Sequence, residues 1–359
     1  MKIKNVFDEI FSTENLYLAY IDASRGRRYK KDVLAFGYDV WANIEKIRQD
    51  VYGGTYDIEK YHKFYVYEPK KRMIMSIAFE HRVVQWAIYR VINPILARGY
   101  ISDSYGCIPG RGALGAMLRL KGWLSYVSKK NGRWYYLKLD ISKYFYRISH
   151  DVLLRIISKR ISDERLVDIL SRIIDCTHTP FGLPEGAKIG DVDESKMLHD
   201  VGMPIGNLLS QVFANLYLNE LDQACKRKLG IRYYIRYMDD IIILDCNKKR
   251  LHRLHRQIEE FLEKILRLKL NSKSCIRPIN EGIEFVGYRI RHNMATLRKS
   301  TTLRIKRSLR GVAKKYRERK LELDDISIIL ACYRGLLSHT NSDTLTTSLF
   351  SNYTLSRVS

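Results

Sequence analysis

The chain has 359 residues and carries 63 Lys and Arg against 39 Asp and Glu, a formal net charge of +24. That length holds two or three packed regions, and the cation excess implies a polyanionic partner, either nucleic acid or an anionic membrane surface. No apolar run reaches the ~18 residues a membrane span needs, Met1-Lys2-Ile3-Lys4 lacks the apolar core of a signal peptide, and the cysteines form no CxxC pair, which argues against a zinc knuckle or a disulfide framework.

The six thiols, Cys107, Cys176, Cys225, Cys246, Cys275 and Cys332, are expected to be reduced and mostly buried, in a cytoplasmic protein. The 25 tyrosines suit stacking on bases as well as packing. After a basic opening, Arg25-Gly26-Arg27-Arg28-Tyr29-Lys30-Lys31 reads either as a solvated loop or as a phosphate contact, and a helix is predicted over residues 33–50. Residues 61–77 alternate like two strands around a Pro69-Lys70-Lys71-Arg72 corner. Cations at such a bend can clamp a triphosphate, though a solvated hairpin tip costs no more. A long helix follows over 79–96, with Pro94 predicting a kink or an early stop.

The loop Gly106-Cys107-Ile108-Pro109-Gly110-Arg111-Gly112 permits close backbone approach to a ligand. It is not a Walker A loop, because no Gly-Lys-Ser/Thr follows, and it leads into a helix over 114–127. Residues 133–139 form the next strand, which ends on Asp140. Asp140 is either an N-cap for the helix starting near His150 or one member of a carboxylate site. Another helix is predicted over 162–175, and 181–200 reads as a polar, acidic surface loop. Val201-Gly202-Met203-Pro204-Ile205-Gly206-Asn207 is a compact turn that feeds an apolar helix beginning at Leu208. The free amides at that start can hold a nucleotide or a template backbone, or the helix is simply core with a glycine start.

Two short strands then flank Asp239 and Asp240, which places the pair at a hairpin tip. Adjacent carboxylates repel one another. In a strongly cationic chain they are better explained by a bound cation, although Asp is also a common turn former. With Asp140 they would make a three-carboxylate cluster for two divalent ions; Mg²⁺ needs only one or two carboxylates, water and substrate phosphates. A basic amphipathic helix over 248–268, a strand pair over 283–290, a basic run from Arg298 to Lys315 and two further helices complete the chain. The C-terminal cations could grip a duplex backbone.

In this order, Asp140, the glycine turn and Tyr237-Met238-Asp239-Asp240 resemble the reverse transcriptases, and the resemblance runs through nearly the whole chain. It implies an α+β right-hand polymerase: fingers with part of the palm over residues 1–130, an antiparallel palm backed by helices over 131–290, and a basic helical thumb over 291–359. It further implies metal ligation by Asp140, the Ile141 carbonyl, Asp239 and Asp240, the second of the pair contributing less. Two Mg²⁺ ions are expected, with Mn²⁺ able to substitute in vitro. Phe145 would be the steric gate against ribonucleotides. Lys70 and Arg72 would hold the dNTP triphosphate, Ile205, Gly206 and Gln211 would line the nucleotide and template, and Lys273 would protonate pyrophosphate. Phe285-Val286-Gly287-Tyr288 resembles a primer grip.

Group II intron and retron enzymes carry glutamine before the second glycine of the turn, whereas this chain has Ile205. That departure resembles the reverse transcriptases of diversity-generating retroelements, as do Ile108-Pro109-Gly110-Arg111-Gly112 and Leu297-Arg298-Lys299-Ser300. The resemblance implies a mutagenic enzyme that copies a template-repeat RNA with errors opposite adenine, the fidelity phenotype residing in Ile205 and Arg72. Primer, RNA–DNA hybrid and a small basic pentameric accessory protein are its expected partners. The length leaves no room for an RNase H, endonuclease or maturase-sized extension, so integration is expected to need other factors or target-primed chemistry. A phage-defence or retron-like reverse transcriptase, and a catalytically retired RNA-binding scaffold, are the competing readings.

Overall fold

The computed structural model describes residues 2–58, 60–67, 71–175, 178–341, 343–351 and 355. In chain order the elements are α1 (Phe7–Ile10), α2 (Thr13–Ser24), α3 (Lys31–Tyr38), α4 (Val40–Tyr52), β1 (His62–Val66), β2 (Arg72–Ser76), α5 (Phe79–Ala97) and α6 (Ala113–Val127). There follow β3 (Tyr135–Asp140), α7 (Tyr144–Arg147), α8 (His150–Arg160), α9 (Glu164–Asp175), α10 (Leu208–Gln223), β4 (Tyr233–Tyr237), β5 (Asp240–Asp245) and α11 (Lys248–Leu266). The last are β6 (Cys275–Pro278), β7 (Ile283–Phe285), β8 (Tyr288–Ile290), β9 (Ala295–Leu297), α12 (Lys299–Arg317), α13 (Leu323–Leu337) and α14 (Asp343–Ser351). The fold is α+β, with open sheets in which the β1–β2, β3–β6, β4–β5, β7–β8 and β8–β9 pairs are antiparallel. The chain divides into two compact units, one of residues 1–108, 140–232 and 254–273, the other of 109–139, 233–253 and 274–359.

The first unit is mostly helical and is built around α5 and α10. Helix α2 lies on α5: Asn15 Nδ2 donates to the Ala87 carbonyl at 3.1 Å, and Arg90 Nε donates to Asn15 Oδ1 at 3.0 Å. Helix α10 is buried on nearly every side, so its few polar groups find internal partners, as burial requires. Asn215 Nδ2 donates to the Gly106 carbonyl at 2.7 Å, and Tyr217 Oη donates to the Leu266 carbonyl at 2.6 Å. Helix α9 repeats Leu166, Ile169, Leu170, Ile173 and Ile174 on one buried stripe. Its N-cap Asp163 serves two starts at once, accepting from Leu166 N at 3.2 Å and from Val6 N and Phe7 N at 2.8 and 3.0 Å.

The second unit carries a four-stranded sheet in the order β4-β5-β3-β6, with α6 packed on β4, and a three-stranded sheet β7-β8-β9. Ile241, Ile242 and Ile243 are all fully buried, so β5 is covered on both faces. Trp123 and Trp134 meet the Tyr233 ring edge-on at 5.5 and 5.8 Å. The β7–β8 turn uses Val286 and Gly287 at φ +44° and +89°. Arg298 N and Thr301 Oγ1 both donate to the Gly287 carbonyl, at 3.0 and 3.2 Å, which fixes that turn against the start of α12.

Several expectations are corrected. The single helix over 33–50 is two helices, because Asp39 leaves helical geometry (φ −136°, ψ 71°) and caps α4 by accepting from Ala42 N at 3.1 Å. The basic run 298–315 is itself helical, since Ile305, Leu309 and Val312 give α12 a buried stripe beneath its cations. Helix α5 runs through Pro94 to Ala97 without an early stop. The acidic loop is partly internal: Phe181 and Leu183 are buried, and Gly182 bridges Leu198. Among the described cysteines only Cys225 is buried, with Cys107, Cys246 and Cys332 exposed and Cys275 half-buried, against the expectation of mostly buried thiols. Cys176 lies outside the described residues.

Candidate active site

In the first unit, Asp140 leaves the end of β3 half-buried. It caps no helix: α7 starts after Lys143, which sits at φ +48° and makes no side-chain cap. Instead it is held by the turn that follows α11. Asn271 N donates to the Asp140 carbonyl at 2.7 Å, and Asn271 Nδ2 donates to Asp140 Oδ2 at 2.9 Å. The other end of the same amide accepts from Lys273 N at 3.2 Å. Ile141 pairs with Leu270 in an isolated antiparallel bridge, and Ser142 N donates to the Lys269 carbonyl at 2.9 Å. One short turn therefore supports Asp140 and presents the exposed Lys273 beside it.

A second group in this unit gathers around Phe145, which is half-buried and packs edge-on against Tyr144 with ring centroids 5.6 Å apart. The Phe145 carbonyl accepts from Met203 N at 2.7 Å, and the Ile205 carbonyl accepts from Met75 N at 3.0 Å. Tyr146 Oη accepts from Met73 N at 3.3 Å, and burial holds this phenol above its ordinary pKa. Strand β2, which opens on the exposed Arg72, is thus tied to the residues after Asp140 and to the glycine turn. Gly206 has φ +116°, and a Cβ there would meet Ile74 Cγ2 at 3.1 Å. Gln211 lines a recess of about 180 Å³ at the start of α10, together with Arg82, Gln85 and Asn207. Burial depresses the pKa of Arg82, while Gln85 Oε1 accepts from Leu209 N at 3.4 Å. Lys70 lies outside the described residues.

In the second unit the β4–β5 hairpin pairs Tyr237 with Asp240, so the tip is Met238-Asp239, one residue earlier than read from the sequence. Met238 adopts φ +52°, a conformation costly for a side chain of its kind. Asp239 and Asp240 are half-buried, and Arg236, one strand position before Tyr237, is fully buried. Lys138 on β3 lies 3.4 Å from both oxygens of Asp240 and donates to the Glu284 carbonyl at 2.6 Å. Within this unit β5, which begins on Asp240, is the sheet neighbour of β3.

Among the described residues no three of His, Cys, Asp and Glu gather as a ready-made metal cage. Asp140 in the first unit and Asp239 and Asp240 in the second each offer hard carboxylate oxygen, the donor chemistry that Mg²⁺ takes together with water and substrate phosphates. Among the described residues no helix is long and apolar enough to cross a membrane. Asn271, Lys138 and Arg236 were not assigned roles from the sequence. The available signal was a cation in an apolar strand, for Lys138 and Arg236, and an Asn opening a turn, for Asn271.

Protein YkfC of Escherichia coli is 26% identical over 282 residues, covering 69% of this chain and 71% of its own length. The group II intron-encoded protein LtrA of Lactococcus lactis is 24% identical over 260 residues, covering 68% of this chain but 40% of its own length. The apo telomerase structure from Candida tropicalis superposes with a TM-score of 0.50 at 13% identity, over 69% of this chain and 50% of that one, a likeness of fold. The family of reverse transcriptases (RNA-dependent DNA polymerases) matches residues 59–290, which include Arg72, Asp140, Phe145, the glycine turn, Asp239, Asp240 and Lys273. The chain belongs to the reverse transcriptase family, a family of nucleotidyltransferases.

Proposed function

We propose that the chain is an RNA-directed DNA polymerase of the diversity-generating type, which copies a template-repeat RNA into cDNA with errors concentrated opposite adenine. One observation carries the subtype: Ile205 occupies the turn position where glutamine is usual in group II intron enzymes, and its carbonyl is hydrogen-bonded to Met75 on the strand that Arg72 opens. The two positions assigned to fidelity therefore belong to one hydrogen-bonded wall. A polar amide lost from that wall removes a contact that would otherwise penalise a misaligned base pair.

The reaction is attack of a primer 3′-hydroxyl on the α-phosphate of a dNTP. Asp140, the Ile141 carbonyl and Asp239 are the proposed ligands for two Mg²⁺ ions, with Asp240 the lesser contributor. When bound, the ions supply activation of the hydroxyl and charge neutralisation at the transferred phosphoryl group. Arg72 and Lys70 hold the triphosphate, Lys273 donates a proton to departing pyrophosphate, and Phe145 excludes a 2′-hydroxyl. Ile205, Gly206 and Gln211 face the nascent pair and template. Residues 1–130, 131–290 and 291–359 serve as fingers, palm and thumb. The basic thumb holds the RNA–DNA hybrid through its backbone, so affinity falls steeply with salt. A small basic accessory protein completes the working complex.

The test is primer extension on an adenine-rich RNA template with Mg²⁺ and four dNTPs, products sequenced, with an Asp239→Asn control. Run with and without the accessory protein and native RNA, it should give cDNA with errors clustered opposite adenine and no product from the control. Accurate cDNA would move the assignment to a retron-like or defence enzyme. No product with partners supplied would favour an RNA-binding scaffold.

A further inference from the structure

We propose that Lys138 is a positioning residue that ties the hairpin holding the primer end to the second carboxylate of the catalytic turn, making Asp240 a charge-compensated strut. This rests on the polymerase reading above. Lys138 stands two residues before Asp140 on β3, flanked by the fully buried Leu137 and Leu139. Its side chain is 24% exposed and that of Asp240 27%, so the pair is mostly withdrawn from solvent. The ammonium is 3.4 Å from each Asp240 oxygen and only 2.6 Å from the Glu284 carbonyl on β7.

An ammonium has three donors and no acceptor. Asp240 and Glu284 therefore engage separate N–H groups of one atom, and neither contact displaces the other. Glu284 is fixed a second time through its carboxylate, which pairs with Arg298 Nε at 2.9 Å. Arg298 in turn donates its backbone N–H to Gly287 at the tip of the same hairpin, at 3.0 Å. The brace runs from Asp240 through Lys138 to Glu284 and on to the turn at Val286-Gly287. Its cation also opposes a second positive charge on Asp240, which leaves Asp239 the better placed of the two for a metal ion. Adjacent carboxylates that would otherwise repel are thus given different work.

The consequence is a fixed offset between primer end and catalytic turn. Displacing reacting atoms by about 1 Å costs on the order of 100-fold in rate. An ordinary exposed ion pair would contribute little and would couple to nothing.

A double-mutant cycle tests this in the full-length protein, using Lys138→Met, Asp240→Asn and their combination. Three readouts are needed: kcat and KM for a dNTP, Mn²⁺ affinity by electron paramagnetic resonance, and midpoint of urea unfolding. Each single substitution should lower kcat about 10- to 100-fold with KM changed less than about threefold. The double variant should be no worse than the weaker single, and Mn²⁺ affinity in Lys138→Met should be equal to or tighter than wild type, because the ammonium opposes a second cation on Asp240. Additive losses, or a Lys138→Met enzyme of wild-type rate, overturn the proposal. So does a parallel fall in Mn²⁺ affinity, which would make Lys138 part of metal binding. If Lys138→Met fails to fold, Lys138→Gln keeps the bond to Glu284 without the charge and carries the same comparison. A wild-type protein that makes no DNA overturns the polymerase reading instead; coupling between Lys138 and Asp240 in the urea midpoints is measured independently of that outcome.

Discussion

Arg236 Nη1 donates to the Met238 carbonyl at 3.1 Å, so a guanidinium with no exposed surface holds the left-handed residue of the β4–β5 hairpin. The backbone cost of a non-glycine residue at φ +52° is about 1–3 kcal/mol, and a charge-assisted hydrogen bond offsets an amount of that size. Strand residue and turn are thus one device for presenting Asp239.

Replacing Arg236 by Met should therefore cost about 2–4 kcal/mol of stability, because the carbonyl loses its donor and the buried space loses volume. Arg236→Lys should not recover it, since an ammonium lacks the fork that lets one side chain serve several acceptors. Urea unfolding of the three proteins provides the measurement. A destabilisation below about 0.5 kcal/mol for Arg236→Met would remove the role assigned to it.

Asn271→Ala should weaken divalent-ion binding without unfolding the protein. The side-chain amide orients Asp140 Oδ2 at 2.9 Å, and with Asp140 as the proposed metal ligand the loss of that partner should cost about 10- to 100-fold in metal affinity or rate. Mn²⁺ titration of variant and wild type would show it, and equal affinities would assign Asn271 to the turn alone. Asn271→Asp should be worse, because it sets a second negative charge against Asp140.

Gly206→Ala should be strained on two counts. Its φ of +116° is a region that side chains avoid, and the new methyl would press on Ile74 Cγ2 at 3.1 Å and the Met75 carbonyl at 3.4 Å. A loss of about 1–3 kcal/mol is expected, with a matching drop in dNTP affinity because the Ile205 turn must shift. Thermal unfolding and steady-state kinetics on the same preparations separate the two effects.

Tyr136 gives a pH prediction. Burial is the main reason its pKa rises from 10.0 to about 12, with the neighbouring Cys275 adding to it. The unfolded chain ionises this phenol first, so its contribution is complete below pH 10 and is lost as pH rises through 12. Between those values stability should fall by about 1.4 kcal/mol per pH unit on this account. Tyr136→Phe should flatten that part of the curve, which urea midpoints taken across the interval would show.

Much of this was legible in the chain. The β4–β5 hairpin follows from aromatic and aliphatic runs about a carboxylate pair, and α11 from Leu251, Leu254, Ile258 and Leu262 on one buried stripe. The break at Asp39 was not legible, because the apolar pattern of Phe36, Trp41 and Ile44 continues across it while a single capping side chain starts a new helix. The basic opening conceals helices α1 and α2; the start of α1 is held by Asp163, more than 150 positions away, whose Oδ2 accepts from both Val6 N and Phe7 N. Asn271 was visible as a letter and silent as a partner. Its contact with Asp140 spans 131 positions, and no periodicity carries information that far.

The strand order has a consequence for biosynthesis. Strand β3 lies between β5 and β6, so its sheet partners begin at Asp240 and Cys275, about 100 and 135 residues after Asp140. During translation the segment Tyr135–Asp140 emerges with both edges open and stays so for many seconds at ordinary elongation rates. A ribosome that stalls between these positions leaves an apolar, unpaired strand exposed to neighbouring chains. Yield of folded protein should thus depend on synthesis speed across residues 141–278, and on chaperones that shield a strand awaiting its partners.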